Sequence, residues 1–139
     1  MGESQGGLVT ALAAPEVAEY IESVILLYPA LNIPEVETAK YATYEDIPEN
    51  PMAFDDQVGK VYIQDIYGLD VYSAIAKYEG DVLIYHGDND GIIDISVSQK
   101  ALTYYKNAEL VTVPGGKHGF NTPISTEICA DLVKRFLGL

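Results

Sequence analysis

Residues 1–10 read MGESQGGLVT, and within them Gly2 to Gly6 fit the pattern G-x-S-x-G. Such a pattern places a serine on a sharp turn between a buried strand and a helix, where its hydroxyl is lifted clear of the backbone. A serine in that setting is a nucleophile only if a base takes its proton, and the base acts only if a carboxylate fixes its tautomer. The stretch therefore predicts a strand ending near Met1, a helix starting at Ser4, and an acid and a histidine elsewhere in the chain.

The segments that follow agree with an alternation of helices and buried strands. From Ser4 to Ala14 the residues are good helix formers, with Leu8, Ala11 and Leu12 on one face. The run SVILLYPA, from Ser23 to Ala30, is continuously apolar and stops at a proline, which suits a strand covered on both faces. DVYSAIAKY predicts a short helix and DVLIYHGDND a second buried strand ending in a turn-rich loop. DISVSQKALTYYKN has Val97, Ala101 and Tyr104 at helical spacing, with Asp94 placed to cap the start. AELVTVPGG predicts a third strand. The last segment carries Ile124, Ile128, Leu132 and Phe136 as one helical stripe, with Thr122 as its cap and Lys134 and Arg135 near its C-terminus. The implied architecture is α/β, a three-layer αβα sandwich around a parallel sheet.

Residues 32–68 differ in character. They hold Pro34, Pro48 and Pro51 and a set of acidic side chains, and they read as an excursion from the core. Within them KVYIQDIY alternates weakly and predicts a strand or hairpin arm.

Composition narrows the function classes. The 139 residues are 48% apolar, enough for a domain with a core, and carry a formal charge of −13. That charge argues against nucleic acid or an anionic membrane as partner, since both require clustered Lys and Arg. The longest apolar run is too short to span a bilayer. The single cysteine, Cys129, has no internal disulfide partner and reads as a small buried residue of the last helix.

Ligand-facing residues of parallel sheets gather at the carboxyl ends of the strands. Ser4, Asp90 and His118 all fall there. His118 lies in GGKHGF, whose glycines leave room for an imidazole, and Asp90 follows the second buried strand. Asp94 is better explained as a helix cap and Asp88 as a turn residue. His86, at a strand end before Gly87, reads as a structural hydrogen-bonding residue. The elbow assigns Gly2 and Gly6 to relieve collisions and Gly7 to let the helix approach the sheet. It also aims the backbone N–H of Gln5 at an oxyanion formed on attack by Ser4. HGDNDGIID does not fit a calcium loop, because alignment on Gly91 puts His86 and Val97 at ligand positions. No metal or other cofactor is expected.

Together, GESQGG, VLIYHGDNDGIID and AELVTVPGGKHGF, in this order, resemble the C-terminal part of the α/β-hydrolase fold. GESQGGLVTALAA, LLYPALNIPE and YHGDNDGIID are most similar to small serine esterases of the feruloyl (cinnamoyl) type and their dienelactone-hydrolase-like relatives. The resemblance implies that Ser4 is the nucleophile, Asp90 the triad acid and His118 the general base, acting on a small-molecule carboxylic ester. Thioesterase, lysophospholipase and peptidase chemistry use the same machinery. It also implies that residues 32–68 form a cap-like insertion whose Tyr41, Tyr44, Met52, Phe54, Tyr62 and Tyr67 line an acyl or aryl pocket or pack the insertion's own core. Ile93 is followed by Asp94 where the family commonly continues with Val-Pro, and Asp94 can serve there as a cap.

The same resemblance places several strands before the elbow, together with the loop that donates a second oxyanion N–H. The expectation is a partial domain over residues 1–139 whose N-terminal part belongs to a longer reading frame. Loss of one oxyanion donor typically lowers turnover about 10²- to 10³-fold, so weak or no esterase activity is expected of this polypeptide alone. A non-catalytic binding module on the same scaffold and a non-functional fragment are the competing readings. Compartment and oligomeric state are not encoded in any feature of the sequence.

Overall fold

The computed structural model describes residues 1–137. Its sheet contains β1 (Gly2–Glu3), β2 (Ser23–Leu27), β5 (Asp81–Gly87) and β6 (Asn107–Val113), all parallel, in the spatial order β1-β2-β5-β6. Parallel pairing needs crossovers, and helices supply them: α1 (Ser4–Ala13) follows β1, α4 (Val71–Ile75) precedes β5, and α5 (Ser96–Leu102) joins β5 to β6. α6 (Thr122–Leu137) closes the described chain. The α/β sandwich expected from the sequence is the observed architecture.

Side-chain alternation assigns the two faces. Val24 and Leu26 of β2 share a face with Val82 and Ile84 of β5, and the cluster they form takes in Leu8 and Ala11 of α1, Ile75 of α4, and Val97 and Ala101 of α5. On the other face Leu83 and Tyr85 pack against Ile128, with Leu27, Val111, Ile124 and Leu132 partly covered around them. On that face α6 and Phe120 leave β2 partly open, and β2 alternates between buried and half-buried residues instead of being buried throughout. β1 pairs only with Leu26 and Leu27, so residues 23–25 have no strand partner on their outer edge among the described residues.

Several local expectations are corrected. The α6 stripe includes Ile124, Ile128 and Leu132, but Phe136 lies outside that cluster and is half exposed. Its N-terminus is capped by Asn121, whose side-chain oxygen accepts from the Ile124 amide, and not by Thr122. Asp94 does cap α5, accepting from Ser96 N at 2.8 Å, but the helix ends at Leu102 and leaves Tyr104 largely exposed. Cys129 is exposed, one position round from Ile128 and on the outer side of α6. Its thiol is expected to react with a maleimide in the native state at a rate close to that of the unfolded chain; strong native-state protection, read by mass spectrometry, would contradict this placement.

Residues 32–68 hold a small hydrophobic cluster of their own, while Ile33 joins the main core. α2 (Ile33–Thr38) leads to a hairpin of β3 (Met52–Ala53) and β4 (Asp56–Gln57), followed by α3 (Lys60–Ile66). KVYIQDIY is thus helical, not a strand. Ile63 is fully buried with Ile47 and Ala53, and Tyr62, Ile66 and Tyr67 pack around them, while Val61 faces outward. Only the helical spacing brings Tyr62, Ile63, Ile66 and Tyr67 to one side.

Candidate active site

Three loops converge at the carboxyl ends of β1, β5 and β6. The first is hardly a loop at all, since β1 ends at Glu3 and α1 begins at Ser4. Ser4 takes φ 49°, a left-handed conformation that a non-glycine residue adopts only when the surrounding structure enforces it. The enforcement is visible. A Cβ on Gly2 would stand 2.2 Å from Thr10 Oγ1 and 2.3 Å from the Gly6 carbonyl oxygen, and one on Gly7 would stand 2.9 Å from Pro29 Cβ. The Ser4 carbonyl accepts from the Ala30 amide at 3.0 Å, tying the turn to the segment after β2. Gly6 does not share this role: a Cβ there meets nothing within 4 Å.

The loop after β5 is shaped by Asp90. Its Oδ1 accepts from the amides of Ile92 (2.9 Å) and Ile93 (3.0 Å), which leaves Oδ2 to accept from His118 Nδ1 at 2.9 Å. Burial pushes the Asp90 carboxyl upward, but the two amides and then His118 outweigh it, and the group is held below the ordinary carboxylate range. It is therefore ionised at neutral pH.

An ionised carboxylate only accepts, so His118 carries its proton on Nδ1. Nε2 is left with its lone pair, 2.9 Å from Ser4 Oγ. Ser4, His118 and Asp90 form one continuous hydrogen-bonded line, assembled from residues 114 positions apart. His118 sits between Gly115 and Gly119, both left-handed, with φ 67° and 68°. The two loops are also laced together: Gly115 N donates to Asp88 Oδ1 (2.6 Å) and Asn89 N to the Gly116 carbonyl (3.0 Å). Asp88 thus braces the site, while Asp94 remains a cap.

One residue beside this line was not legible as a site residue in the sequence. Tyr28, directly after β2 and left-handed at φ 37°, lays its ring 4.8 Å from that of His118 and 4.9 Å from Phe120. Its hydroxyl donates to Glu3, the residue before Ser4. Burial first, and the Glu3 carboxylate next, raise the Tyr28 phenol well above its usual value, so it stays a donor. The signal available for Tyr28 was its position at the carboxyl end of a parallel strand.

Gln5 opens α1 after Ser4, where helix amides have no intrahelical acceptor. Its side chain donates to Tyr62 Oη at 3.0 Å, joining the elbow to α3. Of the aromatic and apolar residues in 32–68, Tyr41, Tyr62 and Tyr67 pack the segment's own cluster, whereas Tyr44, Met52 and Phe54 are largely exposed. Phe54 and Tyr62 meet edge to face at 6.4 Å. An open depression beside His118 is lined by Asn89, Gly91, Ile92 and Lys117.

No family model matches the chain. Among solved structures it is similar to Est1E from Butyrivibrio proteoclasticus in complex with ferulic acid, with TM-score 0.84 and 33% identity, over 98% of this chain and 56% of Est1E. Among curated proteins it is similar to the bifunctional esterase/perhydrolase DCH of Acinetobacter calcoaceticus, 35% identical over 65 residues, which cover 46% of this chain and 24% of that protein. The 2-hydroxy-6-oxo-6-phenylhexa-2,4-dienoate hydrolase of Rhodococcus sp. strain RHA1 shares the fold at TM-score 0.63 and 18% identity, over 97% of this chain and 62% of that one. The chain thus spans a little over half of Est1E and about a quarter of DCH. With its parallel sheet and its likeness to Est1E, the chain has the α/β-hydrolase fold over the part of it that the two share.

Proposed function

We propose that the chain carries the catalytic residues of a serine hydrolase acting on carboxylic esters. The observation that carries the reading is the unbroken line from Ser4 Oγ to His118 to Asp90, with both hydrogen bonds at 2.9 Å. In this mechanism Ser4 attacks the ester carbonyl while His118 Nε2 takes its proton, and Asp90 stabilises the imidazolium. The oxyanion is met by the Gln5 N–H at the start of α1, where the helix dipole also favours negative charge. Return of the proton to the alcohol leaves an acyl-Ser4 intermediate, and water activated by His118 releases the acid.

The ferulic acid bound by Est1E and the Phe54–Tyr62 pair favour an aryl-bearing acyl group such as a feruloyl or cinnamoyl ester. In this reading residues 32–68 act as a cap that borders the acyl group.

A fluorophosphonate carrying a reporter tests the chemistry without assuming a substrate. Peptide mapping is expected to find the label on Ser4 and on no other hydroxyl. Label on a different residue, or labelling that survives Ser4→Ala, would refute the reading.

A further inference from the structure

His86 is outside the Ser4–His118–Asp90 line, yet it is a fully buried polar side chain beside it. It points from β5 toward α5, on the face opposite Tyr85, and its ring nitrogens meet two different partners. Nε2 lies 2.9 Å from the Ile93 carbonyl oxygen and Nδ1 lies 2.6 Å from Ser98 Oγ, which is also fully buried. A carbonyl can only accept, so Nε2 carries the hydrogen. In the Nε2–H tautomer Nδ1 is a lone pair, and the Ser98 hydroxyl donates to it. One tautomer of a neutral imidazole satisfies every polar atom in the cluster, with none left over.

This cluster holds the loop that aims the acid. Ile93 is gripped twice, its carbonyl by His86 and its amide by Asp90 Oδ1 at 3.0 Å. Asp90 Oδ2 lies 3.4 Å from the same His86 Nε2 and 2.9 Å from His118 Nδ1. The carboxylate therefore sits between two imidazoles, one on each side of the same oxygen. Without the Ile93 anchor the loop could turn, and Oδ2 would leave the line of His118.

We propose that His86, held by Ser98 as its Nε2–H tautomer, is a positioning residue that pins Ile93 and so aims Asp90 at His118. The proposal rests on the catalytic reading of that line. A buried histidine that merely fills the core would contribute stability and leave His118 unchanged, so the two roles separate experimentally.

The chain has only two histidines, which makes their ring nitrogens resolvable by long-range ¹H–¹⁵N correlation. His86 is expected to appear as the pure Nε2–H tautomer; a proton on Nδ1 in place of Nε2 overturns the proposal. His86→Leu is expected to shift the His118 Nδ1–H resonance and to slow fluorophosphonate labelling of Ser4 about tenfold or more, as loss of alignment does elsewhere. His86→Gln, whose amide N–H can replace Nε2–H, is expected to restore most of both. A folded His86→Leu variant with the wild-type His118 signal and labelling rate overturns the proposal. If His86→Leu does not fold, Ser98→Ala is read in the same two ways: a displaced His118 signal supports the proposal, and an unchanged one overturns it. Labelling that survives Ser4→Ala would instead remove the proposed function, while the His86 tautomer and the His118 signal still decide the positioning role.

Discussion

On the proposed function, Asp90→Asn is expected to slow labelling of Ser4 by about 10⁴-fold, the scale of the same change in a serine protease, while leaving the chain folded. The reason is directional. The Ile92 and Ile93 amides already claim one oxygen of Asp90, and an asparagine would keep its carbonyl oxygen there to go on accepting from them. That choice turns the side-chain NH₂ toward His118 Nδ1. Two N–H groups cannot face each other, so the imidazole is driven to accept at Nδ1 and carry its hydrogen on Nε2, directed at Ser4 Oγ. The base is then blocked at the atom that must take the serine proton, although no heavy atom need move. Labelling kinetics measure the loss, and a thermal melt checks the fold. A loss below about tenfold would mean that another carboxylate fills the role. Asp88 is poorly placed to do so, since it is committed to the Gly115 amide.

The sign of the pH dependence follows from the same contacts. Asp90 is held below the ordinary carboxylate range, so the stability it contributes is fully present above that range and is lost only as pH falls through its lower folded value. Across mildly acidic pH it stays ionised, and it is not the group that limits the base.

What the sequence discloses here is what local chemistry alone can enforce. Parallel strands of the core are apolar runs with turn residues at their ends, and β2 and β5 were legible for that reason; β6, none of whose residues is buried, was legible from its β-branched residues and the Pro-Gly-Gly that follows. Ser4, Asp90 and His118 were legible because a strand-end rule and residue type converge on them. Features decided by a distant partner were not. KVYIQDIY shows apolar residues at both period 2 and helical spacing, and only the presence of Ile47 and Ala53 selects the helix. The β3–β4 hairpin turns through Phe54 and Asp55, both left-handed, at φ 52° and 65°, without the Asn-Gly or Asp-Gly pair that announces such a turn. Whether Cys129 and Phe136 are covered depends on what α6 packs against. Gly6 looked equivalent to Gly2 in the motif, yet one meets open space and the other the Thr10 hydroxyl and the Gly6 carbonyl.

That contrast among glycines sharpens at Gly87, where the two loops of the site meet. Gly87→Ala is expected to destabilise the fold by about 3 kcal/mol, at the upper end of what overpacking costs. A Cβ at Gly87 would lie 2.0 Å from the Gly116 carbonyl oxygen and 2.3 Å from its carbon. Both obstacles are backbone, so no rotamer change relieves them. The Gly116 carbonyl cannot simply swing away, because it accepts the Asn89 amide, and Gly116 N in turn donates to Val113. Room for the methyl must come from parting the ends of β5 and β6. Asp90 and His118 ride on those two ends, so the 2.9 Å bond between them should lengthen and labelling of Ser4 should fall together with stability. Gly6→Ala is the matched control: it adds the same methyl in open space within α1 and should be neutral or stabilising by up to about 1 kcal/mol through helix propensity. Urea midpoints of the two variants measure the difference. Equal midpoints would show that the β5 and β6 loop junction yields freely, and that the pairing of Asp90 with His118 is not held by the close approach of Gly87 and Gly116.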